Sequence, residues 1–161
     1  MIWLRALSFI VAVQLTVLGV IPWLLADFGP RLPIGPWHWL GIVPLAIGAL
    51  ALSWCNWAFV TRGRGTAAPY DPPRALVVEG LYRYVRNPMY VSAFLIVSGI
   101  GLWTRTASLF GYSLLLALSY NVFVRYYEEP RLRRVFGQSY LDYCAAVPRW
   151  WPRLTPWSND L

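Results

Sequence analysis

The sequence predicts an all-α integral membrane protein with about four transmembrane helices, a polar central loop and a C-terminal amphipathic helix. Three observations carry this. Of its 161 residues, 58% are hydrophobic and 13% charged, whereas soluble domains run to about half apolar and a quarter charged. Several apolar runs approach the roughly 20 residues that span a bilayer. The basic residues, all arginine, cluster at the ends of those runs, as topology determinants do. A chain of this size forms a single membrane domain, 1–161.

The first span covers about residues 2–25, with Arg5 at its start and Pro22 near its end. It is longer than a signal-peptide core and leads into Asp27-Phe28-Gly29-Pro30, so it reads as a retained helix. Trp37, His38 and Trp39 anchor a second span, about 38–60, in which Pro44 is a candidate kink. Residues 61–86 form the longest polar stretch. Its glycines and prolines exclude a regular helix, and Ala75-Leu76-Val77-Val78 reads as a short extended piece lying over a site. Apolar segments at about 88–103 and 107–127 flank Thr104-Arg105-Thr106 and predict a helical hairpin. Pro130 predicts a kink or a helix end just after Glu129. Beyond it, Leu132, Val135, Phe136, Tyr140, Tyr143 and Cys144 recur at spacings of three and four, an amphipathic helix over about 131–146.

Arginine placement sets the orientation. Arg62, Arg64, Arg74, Arg83 and Arg86 lie in the central loop, and Arg125, Arg131, Arg133, Arg134, Arg149 and Arg153 at or after the last span. The opposite side holds Arg31 and Arg105. The positive-inside rule then puts both termini and the central loop in the cytoplasm. The net charge of +7 belongs to arginines flanking apolar segments, which suits anionic lipid heads and not a nucleic-acid backbone. Cys55 and Cys144 have no metal-ligand or redox spacing, and His38 stands alone between two tryptophans. No metal site is expected.

The central candidate is Gly80-Leu81-Tyr82-Arg83-Tyr84-Val85-Arg86-Asn87-Pro88-Met89-Tyr90. Asn87 followed by Pro88 signals a helix start: Asn accepts from free first-turn amides, and Pro suits the first helical position. The positive end of that helix, with Arg83, Arg86 and three tyrosines around it, suits a flat anionic ligand. The same arginines and tyrosines also suit a plain membrane interface. Glu128 and Glu129 arrive on the same predicted face. Arg125 and Arg133 are helical ion-pair partners for Glu129, while a carboxylate there can also accept from a ribose diol. No nucleophile–base pair is evident, so the site reads as a holder of a reactive cofactor.

Gly80-x-Tyr82-x-x-x-Arg86-Asn87-Pro88-x-Tyr90, then Glu128-Glu129, Phe136-Gly137-x-x-Tyr140-x-x-Tyr143 and Val147-Pro148-Arg149 resemble the isoprenylcysteine carboxyl methyltransferase family. Related membrane methyltransferases of phospholipid amines share the pattern. The resemblance covers residues 74–153. It implies S-adenosylmethionine bound on the cytoplasmic side under the loop, and a lipophilic or small-molecule methyl acceptor reaching it from the membrane lipid. By position, it implies cofactor contacts from Arg74, Ala75, Leu76, Val77, Tyr82, Asn87, Pro88, Met89, Tyr90 and Glu128. For the acceptor it implies Arg125, one position out of register, or Arg149. The family usually has His where this chain has Asn87. Asn cannot change charge near neutral pH, so positioning, and not proton transfer, is its expected role.

Two other readings share these residues. One is methylation of a phospholipid amine or small thiol in place of an isoprenylcysteine carboxylate. The other is a non-enzymatic membrane protein that keeps the fold for binding or assembly.

Overall fold

The computed structural model describes residues 8, 10–61 and 76–158. Arg74 and Ala75 lie outside the described residues, as does the first half of the central loop. Two π-helical stretches, Ile10–Gln14 and Thr16–Val20, run into helix α1, Ile21–Leu25. A 3₁₀ turn, Gly35–Gly41, leads into α2, Ile42–Thr61. A second 3₁₀ turn, Gly80–Arg83, precedes α3, Pro88–Thr104, and α4, Ala107–Phe123. A π-helical stretch, Val124–Glu128, connects α4 to α5, Glu129–Ala146. The described residues form no β-strand, only an isolated bridge between Arg31 and Thr106.

Two helical runs, Gly35–Thr61 and Ala107–Ala146, are long and apolar enough to cross a bilayer, and two shorter apolar helices, Ala12–Leu25 and Pro88–Thr104, accompany them. At about 1.5 Å per residue, the 17 residues of α3 extend ~25 Å, short of a ~30 Å hydrocarbon core. Only 22% of the most apolar window of each long run is buried inside the protein, so neither is the core helix of a soluble fold. Val43, Ile47, Leu50 and Trp57 on α2 and Leu114, Leu115, Leu118 and Val122 on α4 are exposed. Contiguous apolar surface of this kind belongs against lipid.

Several local expectations are corrected. Of the kink or end expected at Pro130, the end does not occur. The ring lacks an amide and crowds the carbonyl four residues back, and the chain answers by widening to π geometry, with the Glu129 amide donating to the Val124 carbonyl. The amphipathic segment is not one helix, because Gly137 breaks it at φ 55°, ψ −128°. That break turns Tyr140, Tyr143 and Val147 inward, where they pack with Leu76, Val78 and Trp157. Pro44 sits in the first turn of α2, just after the 3₁₀-to-α change at Ile42, where a missing amide costs little.

The centre of the bundle is a contact between α2 and α3 at backbone distance. A Cβ on Gly99 would lie 2.6 Å from the Leu45 amide nitrogen and 2.8 Å from the Gly41 carbonyl oxygen. One on Gly48 would lie 2.7 Å from the Ser92 carbonyl oxygen. Small residues bring apolar helices this close, gaining dispersion contact that lipid cannot replace. At the hairpin end, Arg31 donates to the Thr104 carbonyl and the Thr106 hydroxyl, both at 2.8 Å, and Ser108 donates to the Phe28 carbonyl at 2.6 Å. These bonds fasten the α1–α2 connection to the α3–α4 turn. The candidate site lies at the other end.

Candidate functional site

The site begins at the Gly80 turn. Gly80 has φ +52°, and a Cβ there would fall 2.0 Å from the Trp54 ring, so conformation and space both require glycine. The turn delivers Tyr82 into a buried cluster with Cys55, Ala58 and Val77, edged by Trp54, Phe59 and Met89. The Phe59 and Tyr82 rings meet edge to face at 5.7 Å. Leu76 packs on the opposite side, against the Tyr140 and Tyr143 cluster. Neighbouring side chains of one extended segment thus bind it to two cores, as a period of two requires. Tyr143 closes the seam by donating to the Tyr82 carbonyl at 2.7 Å.

Pro88 takes the first position of α3 as expected, but the Asn87 side chain makes no capping bond. Its Nδ2 donates instead to the Arg149 carbonyl at 3.1 Å, while its own carbonyl accepts from the Val91 amide. The partner comes from a strap, residues 147–157, lying antiparallel to residues 83–87. The Arg86 amide donates to the Pro148 carbonyl at 2.9 Å, Arg153 to Tyr84 at 2.9 Å and Trp157 to Arg83 at 3.0 Å. Trp150 adds a bond to Asn121 on α4 at 3.1 Å. Backbone pairing over 60 residues apart in sequence leaves no local signature.

The adjacent carboxylates have separate surroundings. Glu128, just beyond the last apolar span, accepts from the Tyr90 hydroxyl at 2.7 Å, and Tyr90 stacks on Tyr120 with centroids 4.5 Å apart. Glu129 is buried among arginines. Arg149 holds it bidentately, Nε to Oε1 at 2.7 Å and Nη2 to Oε2 at 2.8 Å. Arg86 lies 3.3 Å from Oε1 and Arg133 3.7 Å from Oε2. The helical Arg133 pairing was legible in the sequence. The stronger Arg149 and Arg86 pairings were not. Arg125 lies exposed over the Tyr126 ring, 5.8 Å from its centroid.

Burial pushes the Glu128 carboxyl above its usual range; the Tyr90 hydrogen bond opposes that and the nearby Glu129 charge adds to it. A carboxyl whose pKa is higher folded than unfolded takes up protons on folding. Its stabilising contribution is therefore complete below the unfolded value and is lost as pH rises through the folded one. Glu128→Gln removes this titration. The melting temperature of the variant should fall less than that of the wild type as pH is raised from the ordinary carboxyl range toward neutrality. Parallel profiles in detergent would show that Glu128 carries no such penalty.

Of the sequence-predicted residues, the structure brings Asn87, Pro88, Met89, Tyr90 and Glu128 together at the start of α3. Tyr82 and Val77 lie beneath, buried in the core cluster, and Leu76 lies under the strap side. Arg149 reaches the same place through Glu129, and Arg125 stands outside it. The fold and site define a helical membrane protein with an acidic, tyrosine-lined site at one end of an apolar bundle.

The phospholipid methyltransferase family model matches residues 36–139. That span is more than half of the chain and runs from the 3₁₀ turn before α2 to the middle of α5. The chain belongs to the phospholipid methyltransferase family. The nickel-cobalt-cadmium resistance protein NccN of Alcaligenes xylosoxydans xylosoxydans is 31% identical over 126 residues, 76% of this chain and 56% of that protein. The chain thus spans about half the length of that relative.

Proposed function

We propose that the protein is an integral-membrane methyltransferase that transfers the methyl group of S-adenosylmethionine to a lipophilic or small acceptor. The observation that carries this is the Tyr90–Glu128 pair at the start of α3, within the stretch that matches the family. One Glu128 oxygen is engaged by Tyr90, and the other has no partner among the described residues. A carboxylate held this way fits a ribose diol or an ammonium group. When bound, the cofactor supplies an electrophilic methyl on a sulfonium.

The residues of the chain bind and align. Asn87, Pro88, Met89 and Tyr90 form the floor at the helix start. Tyr82 and Val77, whose side chains are committed to the core, contribute backbone, and Arg74, Ala75 and Leu76 are the further cofactor contacts in this reading. Catalysis by alignment of methyl and nucleophile needs no residue that titrates at Asn87, and alignment alone is a large effect. Of the two arginines the motif offers for an anionic group of the acceptor, Arg125 or Arg149, Arg149 lies at the site. A cleft of about 470 Å³ lined by Leu15, Leu18, Leu52 and Ile96, with the hydrogen-bonded Gln14–Asn56 amide pair in its wall, offers room for an apolar chain. In this reading four spans cross the membrane, and the site and both termini are cytoplasmic. The acceptor atom is an isoprenylcysteine-like carboxylate by motif, or a phospholipid amine or small thiol.

The relative is named for metal resistance, but no three His, Cys, Asp or Glu side chains among the described residues are grouped to hold a metal ion. The methyltransferase reading therefore rests on the family. It is tested by thermal melting of the detergent-purified protein with S-adenosylhomocysteine. Ligand at about 100 times its dissociation constant should add roughly 2.7 kcal/mol, and Glu128→Ala should lose that gain. A cooperative melt that does not move at millimolar ligand would sink the proposal.

A further inference from the structure

The arginine cluster around Glu129 holds more positive charge than its carboxylate can neutralise. Arg86, Arg133 and Arg149 all lie within ion-pair distance of the single Glu129 carboxylate, which leaves a net charge of two in its favour. Glu129 and Arg86 are nearly closed off, their side chains 4% and 11% exposed. Arg149 is 29% exposed and Arg133 53%. Arg86 also donates from Nη1 to the Cys144 sulfur, yet its Nε is buried without a hydrogen-bond partner among the described residues. A buried donor left unpaired is costly, so native structures rarely keep one idle. Here the idle donor belongs to the arginine best placed to grip Glu129 if Arg149 lets go. Nη1 of Arg86 already sits 3.3 Å from Oε1, and Arg133 stays on Oε2.

We infer that the Arg149 guanidinium is an exchangeable oxyanion site, in which Glu129 is a built-in stand-in for a carboxylate or phosphate group of a ligand. Arriving oxyanion takes the bidentate fork that Glu129 now occupies, a geometry that guanidinium offers equally to both groups. Glu129 remains neutralised by Arg86 and Arg133, so the exchange strands no buried charge. The strap is held meanwhile by its backbone bonds and by Asn87, which grips the Arg149 carbonyl and not its side chain. Arg149 can therefore turn without the strap lifting. The inference rests on the methyltransferase reading for the source of the anion. That source is either the carboxylate of the cofactor or an acidic group on the acceptor.

Inorganic phosphate is the first probe, by melting of wild type, Glu129→Gln, Arg149→Gln and the double variant. Glu129→Gln empties the fork. Its melting temperature should fall, and phosphate should restore it far more than it shifts the wild type. The double variant should lose that response. Glu129→Asp, which keeps the charge, serves if Glu129→Gln does not fold, and the shorter carboxylate should give a phosphate response larger than wild type. S-adenosylhomocysteine and methylthioadenosine, which lacks the amino acid, then separate the sources. If Arg149→Gln erases the advantage of S-adenosylhomocysteine, the anion is that of the cofactor. If it leaves that advantage and raises KM for an anionic lipid acceptor with kcat held, the anion is that of the acceptor. Equal phosphate responses in all variants would overturn the exchange and leave the cluster a fixed ion pair. Failure of wild type to bind S-adenosylhomocysteine, with the phosphate response intact, would remove the methyltransferase reading alone.

Discussion

Gly99→Leu is expected to unfold the protein or leave it aggregated in detergent. The new Cβ meets backbone on two sides, the Leu45 nitrogen at 2.6 Å and the Gly41 oxygen at 2.8 Å, together with the Leu45 Cβ at 2.9 Å. No rotamer change relieves a clash with main chain, so α2 and α3 must part along the seam that carries the bundle. Overpacking costs about 1–3 kcal/mol where side chains can yield, and here they cannot, so a cost of about 3 kcal/mol or more is expected. Gly111→Leu is the control. Gly111 lies on α4 with nothing among the described residues within 4 Å of a Cβ, and leucine there adds apolar surface to a lipid-facing helix. Thermal melting and size-exclusion profiles of the two variants should diverge sharply. A well-folded Gly99→Leu would mean that the seam is not the structural centre.

Glu129→Ala and Glu128→Ala should part just as clearly, although the residues are neighbours. Removing Glu129 strands Arg86 in a nearly closed site and frees Arg149 from the helix it ties to the strap. Breaking a buried pair by deleting one partner typically costs 3–5 kcal/mol. Arg133 and Arg149 keep some solvent, so the lower end, about 3 kcal/mol, is expected. Glu128→Ala removes a half-buried carboxylate whose charged form is disfavoured by its surroundings. It should leave melting near the wild-type value or above it, while abolishing stabilisation by S-adenosylhomocysteine. Melting curves with and without that ligand read both effects at once. A Glu129→Ala protein as stable as wild type would show that the arginines find other counter-ions.

The sequence carried the helical class, the membrane character and the start of α3 plainly, because each is written in local pattern. Apolar runs, interfacial tryptophans and the Asn87-Pro88 pair need no distant partner to be read. The same local logic misjudged Asn87, whose side chain was expected to cap its own helix. A residue 62 positions away in the strap offers a carbonyl, and Asn87 donates to it. Pro130 and Gly137 traded roles for a similar reason. Proline predicted a kink or an end, and the chain passes it through a π turn, while glycine turned the chain where tertiary packing gave Tyr140 and Tyr143 a core to enter.

The carboxylate pair shows where the boundary lies. Sequence by itself determined that two acids stand at the end of an apolar helix, beside arginines four residues before and after. Only the tertiary structure decided which acid the arginines hold and which a tyrosine hydroxyl holds. Helical spacing ranks nearby charges by position along one helix, and exposed pairs of that kind are worth only about 0.2–0.5 kcal/mol. The Arg149–Glu129 fork is 20 residues long in sequence and depends on the strap folding back over residues 83–87. Burial makes the fork costly to break from one side, because a shielded charge left behind has no water to turn to. Glu128, one residue earlier on the helix, faces Tyr90 on α3 instead, and that difference in direction separates a carboxylate held by three arginines from one held by a tyrosine hydroxyl.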